Sequence, residues 1–161
     1  MKHLVLPPQP SVFLETQIHE LITHYQKGVR TFTRVSLKGG RVEIIAPNLA
    51  RANLSHLNLR EINLTKANLA QVSFAGSTLN HADLSESNLI QSDLRHANLR
   101  RAKLVRANLK EAYLVGADLT GADLMGANLT QADLVGACLD EVNLQGVILT
   151  QARMPDGSIH P

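Results

Sequence analysis

From Pro47 to Asp156 the chain repeats a five-residue unit 22 times without a break in phase, and this period limits what the chain can fold into more than any other feature. The unit centres run Leu49, Leu54, Leu59, Leu64, Leu69, Phe74, Leu79 and onward to Leu149 and Met154, and 20 of the 22 are Leu. Two residues before each centre stands a small or apolar residue, Ala in 13 units. Immediately before the centre stands Asn in 10 units or Asp in 5. A period of five cannot keep one buried face on an α-helix, because successive centres would spiral around its surface. In an extended segment, however, the centre and the residue two before it share a face, and the Asn or Asp between them points the other way. The other two residues of each unit must turn the chain. Repeated, such a unit winds a solenoid whose coils pair by backbone hydrogen bonds, with a core of Leu and Ala. The period alone leaves the number of sides per coil open.

Composition agrees with a core of this kind. Aromatic residues make up only 3% of the chain and Trp is absent, so Leu and Ala must supply the buried volume. Each buried centre Leu contributes roughly 1.5 to 3 kcal/mol. The variants Leu57, Ile62, Val72, Val142 and Val147 change only the size of the inner residue, and Phe74 reads as a local core filler.

Before the repeats, residues 1–30 read as a lead and a helix. Leu14, Ile18, Leu21, Ile22 and Tyr25 make one helical stripe, which predicts a helix over about 11–27. Ser11 suits the N-cap, Lys27 the last turn and Gly28 the position just past the end. The solenoid is expected over 31–156: Phe32 and Leu37 read as two early units, and a two-residue insertion bulges near 38–41 at Gly39-Gly40. Residues 157–161 form a turn-rich tail.

The residues Ala117-Asp118-Leu119-Thr120-Gly121-Ala122-Asp123-Leu124-Met125-Gly126-Ala127-Asn128-Leu129 resemble the pentapeptide repeat family, and the likeness runs for about 110 residues. The resemblance implies an all-β solenoid: a right-handed four-sided parallel β-helix with one pentapeptide per side and 20 residues per coil. The helix, the junction from Tyr25 to Phe32 and the closing Met154-Pro155-Asp156-Gly157 are similar to those of cyanobacterial members, which implies a helical cap on the first coil. A cap has a physical purpose, since an open coil exposes unpaired backbone.

Function is less legible. Sixteen Lys and Arg face 14 Asp and Glu, and residues 47–154 carry ten of each sign, too even to point to nucleic acid. Residues 20 apart stack in such a coil, so Asn48, Asn68, Asn88, Asn108 and Asn128 are expected to form an amide ladder with a structural role. Arg95, Arg100, Arg101, Lys103, Arg106 and Lys110 fall within one coil and so girdle it. A solvated surface is the preferred reading of this basic band, ahead of an acidic protein partner and then of nucleic acid, for which interleaved aromatic residues are lacking. Val105, Tyr113, Val115, Met125 and Val135 are outward apolar residues, with Val115 and Val135 read as one face and Val105 and Met125 as the adjacent one, together a candidate docking surface.

No catalytic site is expected. His56 and His96 stack two coils apart, too far to share a metal, and no phosphate loop, nucleophile elbow or Cys/His metal spacing occurs. Cys138 is alone, so no intrachain disulfide forms, and it reads as a tolerated small residue. No apolar run reaches membrane-spanning length. The expectation is a cytoplasmic, non-enzymatic protein-interaction scaffold without cofactors, monomeric or dimerised end to end, with an unknown protein as its partner. The resemblance supplies two contexts: regulation of cell differentiation through protein contacts, and mimicry of duplex DNA toward DNA gyrase, which the balanced charge disfavours. A purely structural element is the third reading.

Overall fold

The computed structural model describes residues 10–29, 31, 34–38 and 41–161. Three regular elements precede the repeats: α1 (Pro10–Gln26), β1 (Arg34–Lys38) and β2 (Arg41–Ile45). Because α1 begins at Pro10, Ser11 lies inside the first turn instead of at the N-cap, and the cap position falls outside the described residues. Proline at the first helical position loses nothing, since its missing amide hydrogen would have had no helical partner. At the other end Gly28 takes φ +90°. Its amide donates to the Tyr25 carbonyl at 3.0 Å and that of Val29 to the His24 carbonyl at 3.0 Å, a pairing that satisfies the last helical carbonyls. Leu21 is buried, and Ile18, Ile22 and Tyr25 pack against the same cluster as the repeat leucines. The Leu14 side chain lies outside the described set.

The stretch read as two early repeat units folds differently. β1 and β2 pair antiparallel, with Val35 opposite Ile44, Leu37 opposite Val42 and Lys38 opposite Arg41. This is a hairpin and not a coil, so the solenoid does not run continuously from Thr31. Phe32 and the expected bulge at Gly39-Gly40 lie outside the described residues. The misreading has a physical source: inner positions two apart look the same in a pentapeptide as in simple strand alternation. Two alternating runs around a two-residue Gly-Gly connection are a hairpin signal in their own right. Thr31 does make one parallel bridge, to Asn63.

From Asn48 onward every parallel bridge joins residues 20 apart, from Asn48 with Asn68 through Asp133 with Arg153. The coil therefore has four sides of five residues. We call them side A (Asn48 to Ile148), side B (Asn53 to Arg153), side C (Asn58 to Cys138) and side D (Asn63 to Asn143), each with the corner that follows it. Between coils the centre amide and the amide two residues later both donate upward: Leu89 to the Asn108 carbonyl at 2.8 Å and Gln91 to the Lys110 carbonyl at 3.0 Å. Centres from Leu54 to Leu134 are 1% exposed or less, and the Ala residues two before them are equally buried until Ala137. Ser77 and Ser87 take this inner place by donating their hydroxyls to the carbonyls of Phe74 (2.7 Å) and Leu84 (2.6 Å); the Ser92 hydroxyl has no partner.

The corners explain the rest of the unit. In each, the centre carbonyl accepts from the amide three residues on, as Leu49 does from Ala52 at 3.0 Å. The second corner residue has positive φ in every unit from Arg51 to Gln151, between +55° and +70°. A closed four-residue turn with positive φ only at its third residue has the pattern of type II, which glycine adopts most readily. Only six of these positions are Gly; the other fifteen are Arg, His, Glu, Lys or Gln. None is β-branched, the class for which this conformation costs most.

The Asn or Asp before the centre offsets part of that cost. All fifteen accept the first corner residue's amide on their side-chain Oδ1, for example Asp83 from Ser85 at 3.0 Å and Asn98 from Arg100 at 3.1 Å. This is the short polar side chain's usual service to a turn. The expected amide ladder on side A is only partial: Asn68 donates to Asn48 at 2.9 Å and Asn88 to Asn68 at 3.4 Å. Asn108 and Asn128 serve their own corners.

At the C-terminal end the chain reverses at Asp156-Gly157 and lays its tail antiparallel on side B, pairing Ile159 with Arg153. Gln151 donates to the His160 carbonyl at 2.9 Å, and His160 donates to the Ala152 carbonyl at 2.8 Å. The tail thus covers one side of four. On the others, the amides of Leu139, Glu141, Leu144, Gly146 and Leu149 have no acceptor among the described residues. Leu144 and Ile148 are 38% and 49% exposed on this rim.

Candidate functional site

With the interior filled, what the chain offers a partner stands on its sides and corners. Tyr113 occupies the outward place on side B and is 51% exposed. Val115 and Val135 stack one coil apart at the corner just beyond it. Val105 and Met125 stack at the corner after side D. Ten residues are half a coil, so these two pairs sit at opposite corners, not on adjacent faces, and the five residues do not form one patch. Tyr113, Val115 and Val135 remain together; Met125, 41% exposed, is on the far side with Val105.

Charged pairs frame the Tyr113 group along the axis. Asp93, one coil below, receives two hydrogen bonds from Arg95 at 2.8 and 2.7 Å. That guanidinium holds the Asp93 carboxyl below the usual carboxylate range, against the upward push of partial burial. Asp133, one coil above, is bound by Arg153 at 3.0 Å. An exposed aromatic ring with two valines beside it and arginine pairs at its margins has the make-up of a small protein-docking epitope.

The basic band divides in two. Arg95 pairs with Asp93, Arg100 with Asp118 at 3.2 Å and Lys110 with Glu111 at 3.3 Å. Burial pushes the Asp118 carboxyl up, but hydrogen bonds from Thr120 and Arg100 outweigh it and leave the group below its ordinary value. Glu111 is likewise lowered, first by the Gln91 amide and then by Lys110. Arg101, Lys103 and Arg106 take part in none of the ion pairs among the described residues. These three run along side D from corner to corner.

The corner after side A carries a feature that reading the repeat centres missed. Arg51 donates to Gln71 at 2.9 Å, Gln71 to Gln91 at 2.9 Å and Gln91 to Glu111 at 2.7 Å, a one-way chain up the corner with a cation at its foot and a carboxylate at its head. Beside it an open groove of about 450 Å³ is lined by Ala50, Ala70 and Ile90 together with Arg51, Gln71 and Gln91. The recurrence of Gln at 71, 91, 131 and 151 was the available sign. A second cleft, about 420 Å³, lies between Ile22, Tyr25 and Gln26 of α1 and Leu57, Asn58 and Leu59 of the first coil. The Tyr25 hydroxyl crosses that junction to the Arg60 carbonyl at 2.8 Å.

Groups suited to chemistry are dispersed. His56 and His96 each lie across a glycine of the next coil: a β-carbon at Gly76 would stand 2.7 Å from His56 Nδ1, and one at Gly116 2.6 Å from His96 Nδ1. Among the described residues no three His, Cys, Asp or Glu side chains are grouped to hold a metal ion. The Cys138 thiol donates to Asp140 at 3.4 Å and lies 3.3 Å from the Thr120 hydroxyl. No helix among the described residues is long and apolar enough to cross a membrane.

A family model described as pentapeptide repeats matches in overlapping segments spanning residues 48–140, more than half of the chain. Among solved structures, the pentapeptide repeat protein Rfr23 of the cyanobacterium Cyanothece 51142 is 31% identical with a TM-score of 0.63, over 63% of this chain and 83% of that one. A pentapeptide repeat protein from the Arabidopsis thaliana thylakoid lumen is 24% identical with a TM-score of 0.51, over 66% and 70% of the two chains, and supports the fold alone. Curated protein sequences returned no match. The matched segments coincide with the four-sided coils, and the chain belongs to the pentapeptide repeat family.

Proposed function

We propose that this chain is a non-enzymatic protein-interaction scaffold, a right-handed four-sided β-helix closed at its first coil by α1, whose partner docks on the Tyr113, Val115 and Val135 group. The observation that carries this reading is an exposed aromatic residue in a place usually held by Asn or Asp. That substitution forfeits the turn-stabilising bond at its own corner and packs nothing in the core. A rigid backbone strengthens the case, since residues held in register lose little freedom on binding. A cytoplasmic setting suits the single Cys138. Mimicry of duplex DNA gains nothing from the surface, where ten charges of each sign occupy residues 47–154.

The test is crosslinked affinity capture from the native lysate with two variants. Val115→Glu is expected to abolish capture of the partner while melting stays within about 2 °C of wild type, as for surface changes of under 0.5 kcal/mol. Met125→Glu, at the opposite corner, is expected to leave capture intact. Capture that survives Val115→Glu would exclude this group as the docking surface.

A further inference from the structure

We propose that Arg101, Lys103 and Arg106 form a binding row for an acidic segment of a partner protein, laid across side D at right angles to the solenoid axis. The inference deepens the scaffold reading and rests on it. Three of the six cations in the basic band are neutralised by fixed carboxylates; the other three are neighbours in space and have none among the described residues.

What distinguishes the row from an ordinary charged surface is the coil above it. The residues that follow Arg101 and Arg106 by one coil are Gly121 and Gly126. A β-carbon at Gly121 would stand 3.3 Å from Arg101 Cγ, and one at Gly126 would stand 3.4 Å from Arg106 Cγ. Both arginine stems therefore lie across glycine corners, and the glycines add no side chain to cover them. Stems already held by packing give up less freedom when the heads engage an anion.

The neighbouring acids set the direction of the ligand. Asp83 stands one coil below Lys103 and Asp123 one coil above, each about 4.8 Å away along the axis. Both are occupied: Asp83 accepts the Ser85 amide of its own corner at 3.0 Å, and Asp123 accepts the Met125 amide of its corner at 3.1 Å and the side-chain amide of Asn143 in the next coil at 2.9 Å. At Lys103 an anion stretched along the axis meets carboxylate, cation and carboxylate in turn, and at Arg106 it meets Glu86 one coil below, a carboxylate paired with Lys66 at 3.5 Å. One lying along the row meets three cations. An extended acidic peptide can keep to that line, whereas the phosphates of duplex DNA, spread over two strands, cannot.

The probe is a fluorescein-labelled decapeptide of alternating Glu and Ser, which places its carboxylates on one face when extended, titrated against the full chain by fluorescence anisotropy at low and moderate salt. Binding is expected, weakening as salt rises. The triple variant R101Q/K103Q/R106Q is expected to weaken it by about tenfold or more, as for the loss of three charge-assisted contacts. Gln already holds the second corner position at 71, 91, 131 and 151, so the backbone tolerates the changes at 101 and 106. The control R95Q/R100Q/K110Q makes the same change in net charge and should leave affinity within about twofold. Equal loss in both triples, no binding to wild type, or displacement by duplex DNA at matched charge as effective as by unlabelled peptide would each overturn the proposal. Val115→Glu should bind the peptide normally. Peptide binding absent while Val115→Glu still abolishes partner capture would remove the row and leave the scaffold standing.

Discussion

Leu104→Ala is expected to destabilise the fold by about 3 to 5 kcal/mol, read as a lower urea midpoint. Leu104 is fully buried at the centre of its unit, with Leu84 and Leu124 one coil below and above and Ala102 on the same inward face. Backbone hydrogen bonds tie each coil to its neighbours, so the coils cannot collapse into the space that three lost carbons leave. The cost should thus fall in the upper part of the range for such substitutions. Leu144→Ala provides the contrast: on the open rim, where this residue is 38% exposed, about 1 kcal/mol is expected. Equal losses at the two sites would mean that the last coil is as well covered as the third.

Gly116→Ala should cost about 2 to 3 kcal/mol, against about 1 for Gly136→Ala. The two glycines have nearly the same φ, +65° and +67°, so the penalty for a β-carbon in the left-handed region is common to both. They differ in what lies beneath. At Gly136 an added β-carbon meets nothing within 4 Å, whereas at Gly116 it would stand 2.6 Å from His96 Nδ1, closer than such atoms approach. The imidazole must swing away and lose its packing. In the background of His96→Ala the cost of Gly116→Ala should fall to that of Gly136→Ala, and thermal or urea melts of the four proteins give the coupling directly. No coupling would mean that the ring does not rest on the glycine.

These two substitutions probe parts of the fold that the sequence discloses unequally. The interior was legible because Leu at the centre and Ala two before it answer to packing alone, and packing imposes a strict period. Residues 34–45 were misread because Val35, Leu37, Val42 and Ile44 satisfy that spacing and plain strand alternation equally well, and the Gly-Gly connection was counted as a bulge. The corners were not legible in detail. Nothing in Arg101 or His96 announces a positive φ; the conformation is imposed by closing a turn every five residues, and it shows in sequence only as the absence of β-branched residues.

The surface followed the same division. Stacking of residues 20 apart followed from the family resemblance and not from the period, and it correctly sets Val115 under Val135. Setting Val105 beside Val115 ignored that ten residues are two sides. The division of the basic band depends on which arginine finds a carboxylate, Arg95 on Asp93 and Arg100 on Asp118, and side-chain geometry of that kind leaves no periodic trace. The chain from Arg51 through Gln71 and Gln91 to Glu111 did leave one, in glutamines 20 apart, but at a position that no core argument draws attention to.

Amide hydrogen exchange, read residue by residue, tests the four-sided coil and its open end together. Strong protection is expected for the centre amide and the one two residues later in every unit from Leu49 to Gly136, each of which donates to the following coil. Gln151 and Met154, under the tail, should also be protected. Fast exchange is expected at Leu139, Glu141, Leu144, Gly146 and Leu149, which have no acceptor among the described residues. Protection that reached these five as strongly as the inner coils would contradict the open rim, and fast exchange at the amides that donate between inner coils would contradict the coil itself.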